Sequence, residues 1–476
     1  MAKLAFIQSL AYEYLGTMYL SSSIQKNGHL AEAFIEDGSR IEKLARELAG
    51  YNPDIIGFYC ATGMHRWVLN TAGFFKKRLP DIKIILGGPH PTFFPEIIRE
   101  WPVDIICRGE GESALQELLD RIERNEDYAD IENLWVKKNG NIFKNDVRPL
   151  VEDLDSIPFP DRQLYIRRYP FLNKSQKVFV TGRGCPFSCA FCFNAPLKDL
   201  YKEKGRYVRL RSAENLIKEI KEAQHSYRLR VVYLQDDTFA LDKNWALGFL
   251  GRYRQDIGLP FICLLRADLI DEELIFALKQ AGCKNVFFGV ETGSVRLRKF
   301  LLKKEITDEQ IYRSARLLKK YRIKFRTYNM FGLPDETLDD AFRTVELNIK
   351  IKTDYPWSSL LQPFPGTELG DYAREQDLLE GDKLCFETSF FKKSSIKLKN
   401  KAEIENLHKI FFFAVKFPLL FPLLKLIIRK KIVLPYNLLF LSGYLFSFKE
   451  SEGLTWIETI KIGISNLRNF FLDSAA

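Results

Sequence analysis

The sequence predicts an α/β protein in three parts: an N-terminal Rossmann-like, doubly wound sheet, a central partial (β/α)6 barrel, and a mainly helical C-terminal region. Three observations predict it. Short apolar runs alternate with segments of helical period as far as about residue 365. A proline-rich connector, Ser156-Ile-Pro-Phe-Pro-Asp-Arg-Gln-Leu164, interrupts that alternation. Beyond about residue 370, long aliphatic runs are punctuated by basic residues. The expected boundaries are a first domain over 1–150, a linker over 151–176, a barrel over 177–370 and a C-terminal region over 371–476.

In the first part, Leu4 to Ile7, Ile55 to Tyr59, Ile82 to Leu86 and Val103 to Cys107 read as strands, each followed by a helical segment. Ligands of such sheets sit beyond the carboxyl ends of the strands. There the chain places Tyr59-Cys-Ala-Thr62-Gly63, then Gly87-Gly88-Pro89-His90-Pro-Thr92, then Gly109-Glu110-Gly-Glu112. Paired glycines admit close approach of a bulky ligand and Thr62 can hydrogen-bond one, although plain strand-to-helix turns use the same residues.

In the second part six strand-like runs recur: Val178 to Thr181, Val231 to Gln235, Phe261 to Leu265, Asn285 to Val290, Phe325 to Phe331 and Ser358 to Gln362. Six units make an open barrel, and ligand groups in parallel β/α barrels gather at the C-terminal strand ends. Those ends carry, in order, a cysteine loop, Asp236 and Asp237, Arg266 and Asp268, Gly289-Val-Glu291-Thr-Gly-Ser294, Gly332-Leu-Pro-Asp-Glu336, and Pro363-Phe-Pro-Gly-Thr-Glu368.

The cysteine loop is the most specific signal. Cys185, Cys189 and Cys192 are spaced C-x3-C-x2-C within Thr181-Gly-Arg-Gly-Cys-Pro-Phe-Ser-Cys-Ala-Phe-Cys-Phe-Asn194. Three thiolates on a four-iron cluster leave one iron open to another ligand. A zinc site would want a fourth Cys or His, and none of the five histidines (29, 65, 90, 225 and 408) lies in the loop. Three buried thiols would be the plain structural alternative.

This spacing, with Phe191 before the last cysteine, resembles the signature of the radical S-adenosylmethionine (SAM) superfamily. The resemblance implies a 4Fe–4S cluster on Cys185, Cys189 and Cys192, with SAM chelating the open iron and cleaved to a 5′-deoxyadenosyl radical. It further implies SAM contacts among Phe191, Asp236, Asp237, Arg266, Gly289, Glu291, Ser294 and Gly332. Chemically, Glu291 can accept from ribose hydroxyls or the methionyl ammonium, and Arg266 can pair with the methionyl carboxylate.

Upstream, Leu-Gly-Gly-Pro-His-Pro-Thr followed by Arg-Gly-Glu-Gly-Glu resembles the cobalamin-binding domain of B12-dependent radical SAM enzymes. So do Glu13-Tyr-Leu-Gly-Thr-Met-Tyr-Leu20 and Asn27-Gly-His29. Thr62, Gly87, Gly88, Pro89, His90, Gly109 and Glu110 are then the expected cobalamin contacts. The Asp-x-His-x-x-Gly motif that supplies a lower cobalt ligand in many cobalamin domains does not occur here, so no protein histidine is expected on cobalt. The implied activity is methyl transfer from methylcobalamin to an unactivated carbon. A cyclase or rearrangement enzyme with the same cofactors is the alternative, and a non-catalytic cobalamin- or cluster-binding sensor the more distant one.

Bulk properties set the context. The chain has 476 residues, 46% of them hydrophobic, a net charge of +10 and eight cysteines without paired spacing outside the triad. These features fit a reducing, cytoplasmic compartment. The N-terminal Met-Ala-Lys-Leu-Ala-Phe-Ile-Gln reads as a strand and not as an export signal. From Ser394 onward 12 Lys/Arg stand against 6 Asp/Glu, and from Asn406 to Lys449 seven basic residues occur with no acidic one. These charges sit among aliphatic runs instead of polar ones, which disfavours a nucleic-acid surface. Lys416, Pro418, Pro422 and Lys425 interrupt the best spanning window, and one central Lys costs about 2.5–3.5 kcal/mol on insertion. The segment is therefore expected either to lie in the inner membrane surface or to cap the barrel, and the two agree if the substrate is a lipid. Trp456 to Phe471 reads as a final amphipathic helix. The expected partners are a small-molecule or lipid substrate and an electron donor such as flavodoxin or ferredoxin.

Overall fold

The computed structural model describes residues 1–36, 41–380, 389–430 and 433–471, with side chains described to residue 466. Cys385 and Lys431 lie outside the described residues. The chain forms two compact units: 1–173 with 197–207 and 460–476, and 174–196 with 208–459.

The first unit is built on a seven-stranded sheet of β1 (Lys3–Gln8), β2 (Leu30–Ile35), β3 (Ile55–Tyr59), β4 (Lys83–Gly87), β5 (Ile105–Cys107), β6 (Leu134–Lys138) and β7 (Asn141–Lys144). Their order is β2-β1-β3-β4-β5-β6-β7; the first five run parallel, and β6 and β7 are antiparallel additions. The order reverses between β1 and β3, the switch point at which doubly wound sheets bind ligands. Period-two alternation sends Leu4 and Phe6 to one face and Ala5 and Ile7 to the other. The first face is covered by α1 (Leu15–Gln25) and α5 (Glu112–Glu123), the second by α2 (Ile41–Tyr51) and α3 (His65–Arg78). Between α3 and α5 lies the short α4 (Pro89–Phe93). His29 is a structural residue here: its Nδ1 accepts from Ala2 N and its Nε2 meets Asp120 on α5 at 3.0 Å. The connector adds α6 (Gln163–Ile166), whose Tyr165 hydroxyl donates to Gln8 at 2.7 Å.

The second unit carries a six-stranded, wholly parallel sheet: β8 (Gln176–Phe179), then, after the ribbon β9 (Gly182–Arg183) and β10 (Arg209–Leu210), β11 (Val231–Leu234), β12 (Phe261–Leu265), β13 (Cys283–Glu291), β14 (Lys324–Phe331) and β15 (Tyr355–Leu360). The order β15-β14-β13-β12-β11-β8 is sequential and open between β8 and β15, as the six apolar runs predict. The short α7 (Asn194–Leu200) follows the cysteine loop; α8 (Ala213–Ser226), α9 (Lys243–Asp256), α10 (Glu272–Gln280), α11 (Asp308–Lys320) and α12 (Leu338–Lys350) alternate with the later strands. Side-chain caps fix several helix starts: Ser212, Asp242 and Asp271 accept from backbone N–H groups, and Thr307 and Thr337 form full capping boxes.

After α13 (Glu368–Glu375) come α14 (Lys401–Lys416), α15 (Phe421–Ile427), α16 (Val433–Glu452) and α17 (Trp456–Phe471). α14 packs its Ile404, Leu407, Ile410 and Phe411 against Phe331 of β14 and Leu360 of β15, closing the edge of the sheet with one apolar core. The end of α16 reaches the N-terminal mouth of the barrel. There Glu452 accepts from Arg326 Nη1 at 2.8 Å and Gln176 Nε2 at 3.0 Å, Ser451 Oγ accepts from Arg326 Nη2, and Asn285 Nδ2 donates to Ser451 O. Arg326 is wholly buried and also lies over the Phe287 and Trp357 rings, at 4.2 and 4.7 Å. The C-terminal helices thus complete the barrel's side and form its floor, at the end opposite the cysteine loop. Among the described residues no helix is long and apolar enough to cross a membrane.

Candidate functional site at the C-terminal mouth of the barrel

Beyond β8 the chain enters the cysteine loop through Thr181 and Gly182, whose N–H groups both donate to Asp236 Oδ1, at 2.6 and 3.3 Å. Further along, Ala190 N donates to Leu302 O and Ala190 O accepts from Leu369 N. The loop is therefore pinned at its entry to β11 and at its middle to the segments after β13 and β15. Cys185 and Cys189 are buried, Cys192 is half-buried, and none of the described cysteines forms a disulfide. Burial pushes the Cys185 and Cys192 thiols up. Among the described residues no three Cys, His, Asp or Glu side chains converge as the shell of a single metal ion. A cubane asks for a different arrangement, one thiolate on each of three irons. The donor set, three thiols on one pinned loop, fits that group.

The strand-end residues turn toward this loop. Arg266 Nη1 donates to Cys189 Sγ at 3.7 Å, and its guanidinium lies 3.4 Å from the Phe187 ring centroid. Asp268 holds Arg266 from behind in a two-pronged pair, 3.1 Å on each arm. Asn194 donates from N and Nδ2 to Cys192 Sγ, at 3.5 and 3.7 Å, and its side chain also hydrogen-bonds Asp237. Asp236, Asp237 and Arg266 thus all act on the cysteine loop, directly or through Asn194. Asp236 Oδ2 is buried without a protein partner, and burial pushes its carboxyl up to about 7.

Glu291 ends β13 in left-handed backbone, φ +65°, which is strained for a non-glycine residue. Its Oε1 receives Lys304 Nζ at 2.6 Å in a buried pair. That pair occupies the space above Gly289, where a Cβ would meet Glu291 Oε1 at 1.9 Å and Lys304 Nζ at 2.5 Å. Lys304 is held by a buried scaffold: a π-helical turn over Leu297–Leu301 carries Arg298, which donates to Thr292 O and Ile306 O and pairs with Asp308. Ser294 faces inward and receives Leu297 N at 3.5 Å. Gly332 N and Leu333 N both donate to Glu336 Oε2, at 2.6 and 3.1 Å. Like Asp236, Glu336 keeps its second oxygen buried and unpartnered, and burial pushes it up to about 8. Phe191 packs half-buried beside Leu333 and Leu361. Lys304 and Glu336 are absent from the residues expected at the site. Glu336 stands within a motif quoted from the sequence, whereas nothing local marks Lys304.

In the first unit, the expected cobalamin turns cluster at the ends of β3, β4 and β5. Thr62 Oγ1 meets His90 Nδ1 at 3.0 Å, and Cys60 O accepts His90 N. His65 stacks on His90, with ring centroids 4.9 Å apart, and Trp101 stacks on both. Burial, and then His65, push His90 down to about 3, so its imidazole is neutral at ordinary pH. Gly88 turns with φ +104° directly over Cys60 O and Tyr59, leading Pro89 into α4. Gly109 (φ +71°) is bare because Tyr201 fills its place: a Cβ would lie 1.9 Å from the Tyr201 hydroxyl, which also accepts Glu110 N at 2.7 Å. At half-exposed Gly87 a Cβ would meet nothing within 4 Å. Open space at the end of β4 suits a large planar ligand, and the neutral His90 and Thr62 at the neighbouring turns are compatible with one.

An open, six-stranded parallel barrel with a three-cysteine loop at its C-terminal mouth, joined to a doubly wound domain, defines a radical SAM enzyme with an accessory cofactor domain. The comparisons agree. Residues 179–347 match the radical SAM superfamily model and residues 10–119 the B12 binding domain model. The chain is 30% identical over 371 residues to an uncharacterized methyltransferase of Pyrococcus horikoshii, spanning 77% of this chain and 79% of that protein. It is 25% identical over 397 residues to the anaerobic magnesium-protoporphyrin IX monomethyl ester cyclase of Rubrivivax gelatinosus, spanning 79% and 69%. Among solved structures, the radical SAM methyltransferase TsrM of Kitasatospora setae, with tryptophan and a SAM analog bound, superposes with a TM-score of 0.64 at 19% identity, over 79% of this chain and 76% of that one. The chain belongs to the radical SAM enzymes that carry a cobalamin-binding domain, whose cofactors are a 4Fe–4S cluster, SAM and cobalamin.

Proposed function

We propose that this enzyme transfers a methyl group to an unactivated carbon of a small-molecule or lipid acceptor. The observation that carries the reading is the joint presence of a pinned three-thiol loop at the barrel mouth and a B12 binding domain in one chain. The kinship with a methyltransferase at 30% identity supports it. When bound, the cluster supplies the electron that splits SAM, and cobalamin carries the methyl group.

The protein's own part is placement. Cys185, Cys189 and Cys192 would hold the cluster, and Asp236, Asp237 through Asn194, and Arg266 keep their loop in position. Arg266, and Glu291 through the carboxylate oxygen that Lys304 does not hold, are the groups suited to the carboxylate and ammonium of SAM, with Phe191, Ser294 and Gly332 around them and Gly289 beneath the Glu291–Lys304 pair. Thr62, Gly87, Gly88, Pro89 and His90 would lie against cobalamin, and Gly109 and Glu110, tied to Tyr201, would brace the neighbouring turn. A flavodoxin- or ferredoxin-type donor would supply electrons, and the enzyme would work in the cytoplasm against the inner face of its membrane.

Anaerobic reconstitution with SAM labelled in its methyl group, followed by mass spectrometry of products from cell extract, tests the reading: label is expected in a carbon-bound methyl. Cys189→Ala should abolish cluster absorbance and SAM cleavage while corrinoid uptake persists. The relationship to a cyclase supports a second reading, ring formation with the same cofactors. It would be recognised by 5′-deoxyadenosine formation with no label in the product.

A further inference from the structure

The strongest unexplained surface of the molecule lies on the C-terminal helices. Among the described residues, nine of 21 exposed large hydrophobic side chains fall in the thirty positions from Phe417 to Phe446. Their arrangement is ordered. On and just before α15, Leu419, Leu423 and Leu426 recur at i, i+4 and i+7, forming one stripe that is 95%, 55% and 61% exposed. The opposite side of the same segment faces the protein. Phe421 and Ile428 are buried in the core shared with α12 and α14, and Lys425 pairs with Glu346 at 3.0 Å while lying over the Phe342 and Phe421 rings. At the start of α16, Leu434 and Leu438 repeat the outward i, i+4 pattern.

Water would select the reverse arrangement, with leucines inward and charges outward. The apolar stripe is bordered by exposed Lys416, Arg429 and Lys430, and no carboxylate occurs in the sequence between Glu405 and Glu450. A second copy of the segment facing this one would bring the same cations against each other, with no carboxylate of its own to set against Arg429 and Lys430. A surface with an apolar interior and an anionic boundary satisfies both halves of the pattern.

We propose that the segment from Lys416 to Lys430, with Leu419, Leu423 and Leu426 inserted among acyl chains and Lys416, Arg429 and Lys430 at the headgroups, docks the enzyme on an anionic phospholipid bilayer without crossing it. This names the face and the lipid charge for the membrane attachment proposed above, and it does not depend on the chemistry.

The test is co-sedimentation of the full-length chain with sucrose-loaded vesicles of phosphatidylcholine alone or mixed with phosphatidylglycerol. Recovery is expected with the mixed vesicles and to fall with added salt. Arg429→Glu and Lys430→Glu should each weaken binding roughly fivefold or more at low salt. The double variant Leu419→Glu/Leu423→Glu should abolish binding, while its thermal melt and its SAM cleavage match the wild type. Wild-type protein that stays in the supernatant with both vesicles sinks the membrane reading itself. Wild-type binding that survives in the leucine variant shows that another face docks and overturns this assignment. A concentration-dependent dimer in sedimentation equilibrium that the leucine variant abolishes would show instead that this face joins two copies.

Discussion

Glu291 and Lys304 form a buried ion pair, 2.6 Å apart, in the space that Gly289 leaves open at the end of β13. Removing one partner strands the other charge away from water, which typically costs about 3–5 kcal/mol. Lys304→Met should therefore destabilise the barrel by that order in anaerobic denaturant titrations, and Glu291→Gln/Lys304→Met should recover most of the loss. If the double variant proved no more stable than Lys304→Met, the pair would not be the unit described here.

Gly109 and Tyr201 make a similar fit in the first unit. A methyl group at 109 would collide with the Tyr201 hydroxyl and would sit on a backbone with φ +71°. Gly109→Ala is expected to cost about 1–3 kcal/mol from overpacking, with backbone strain in addition. Tyr201→Phe loses one hydrogen bond, to Glu110 N, for about 1 kcal/mol. Chemical denaturation followed by near-ultraviolet circular dichroism would rank the two.

Asp236 and Glu336 give the stability a pH dependence of definite sign. Burial holds their folded-state values near 7 and 8, above those of the unfolded chain near 4. The native state thus keeps two protons that the unfolded chain releases. Their stabilising contribution is complete below about pH 4 and is lost as the pH rises through about 7 and 8, with a slope of up to about 1.4 kcal/mol per pH unit for each group. Asp236→Asn and Glu336→Gln should each flatten the fall in unfolding free energy between pH 4 and 8. An unchanged slope in both would show that these carboxyls titrate normally.

The barrel floor can be tested from the other end of the chain. Glu452→Ala leaves the buried Arg326 guanidinium without its carboxylate and should lower stability by about 3–5 kcal/mol. Arg326→Met/Glu452→Met should lose far less. Urea titrations of the wild type, Arg326→Met, Glu452→Met and the double variant form a double-mutant cycle, and additive losses would refute coupling between the two residues.

Much of this architecture is legible in the sequence because it is local. The six barrel strands are apolar runs bounded by turn residues, and Phe261–Leu265 matches its run residue for residue. The three cysteines lie within eight residues of one another. Three strands of the first sheet are less apparent. β2 is an edge strand whose Leu30 is exposed and whose Glu32 breaks its apolar pattern. β6 and β7 are short, with Lys137, Lys138 and Lys144 breaking their apolar pattern, and only the Asn139-Gly140 turn between them, both residues at positive φ, marks a hairpin. The site divides the same way. Strand-end acids and Arg266 are visible as residue types, but which atoms they hold is decided by loops that return from far along the chain. Lys304 and Glu452 carry no local mark at all, because their partners lie 13 and 126 residues away.

That last separation has a consequence for biosynthesis. At about 5–20 residues per second, roughly 6–25 s pass between the appearance of Arg326 and that of Glu452. For that interval the guanidinium lacks its carboxylate, and Gln176 and Asn285, which emerge earlier, wait longer still for the helix end that will receive their amides. The barrel therefore matures after translation of its own strands is finished, and a factor that loads iron, sulfide or corrinoid onto the nascent chain would meet a vessel whose base has yet to be sealed.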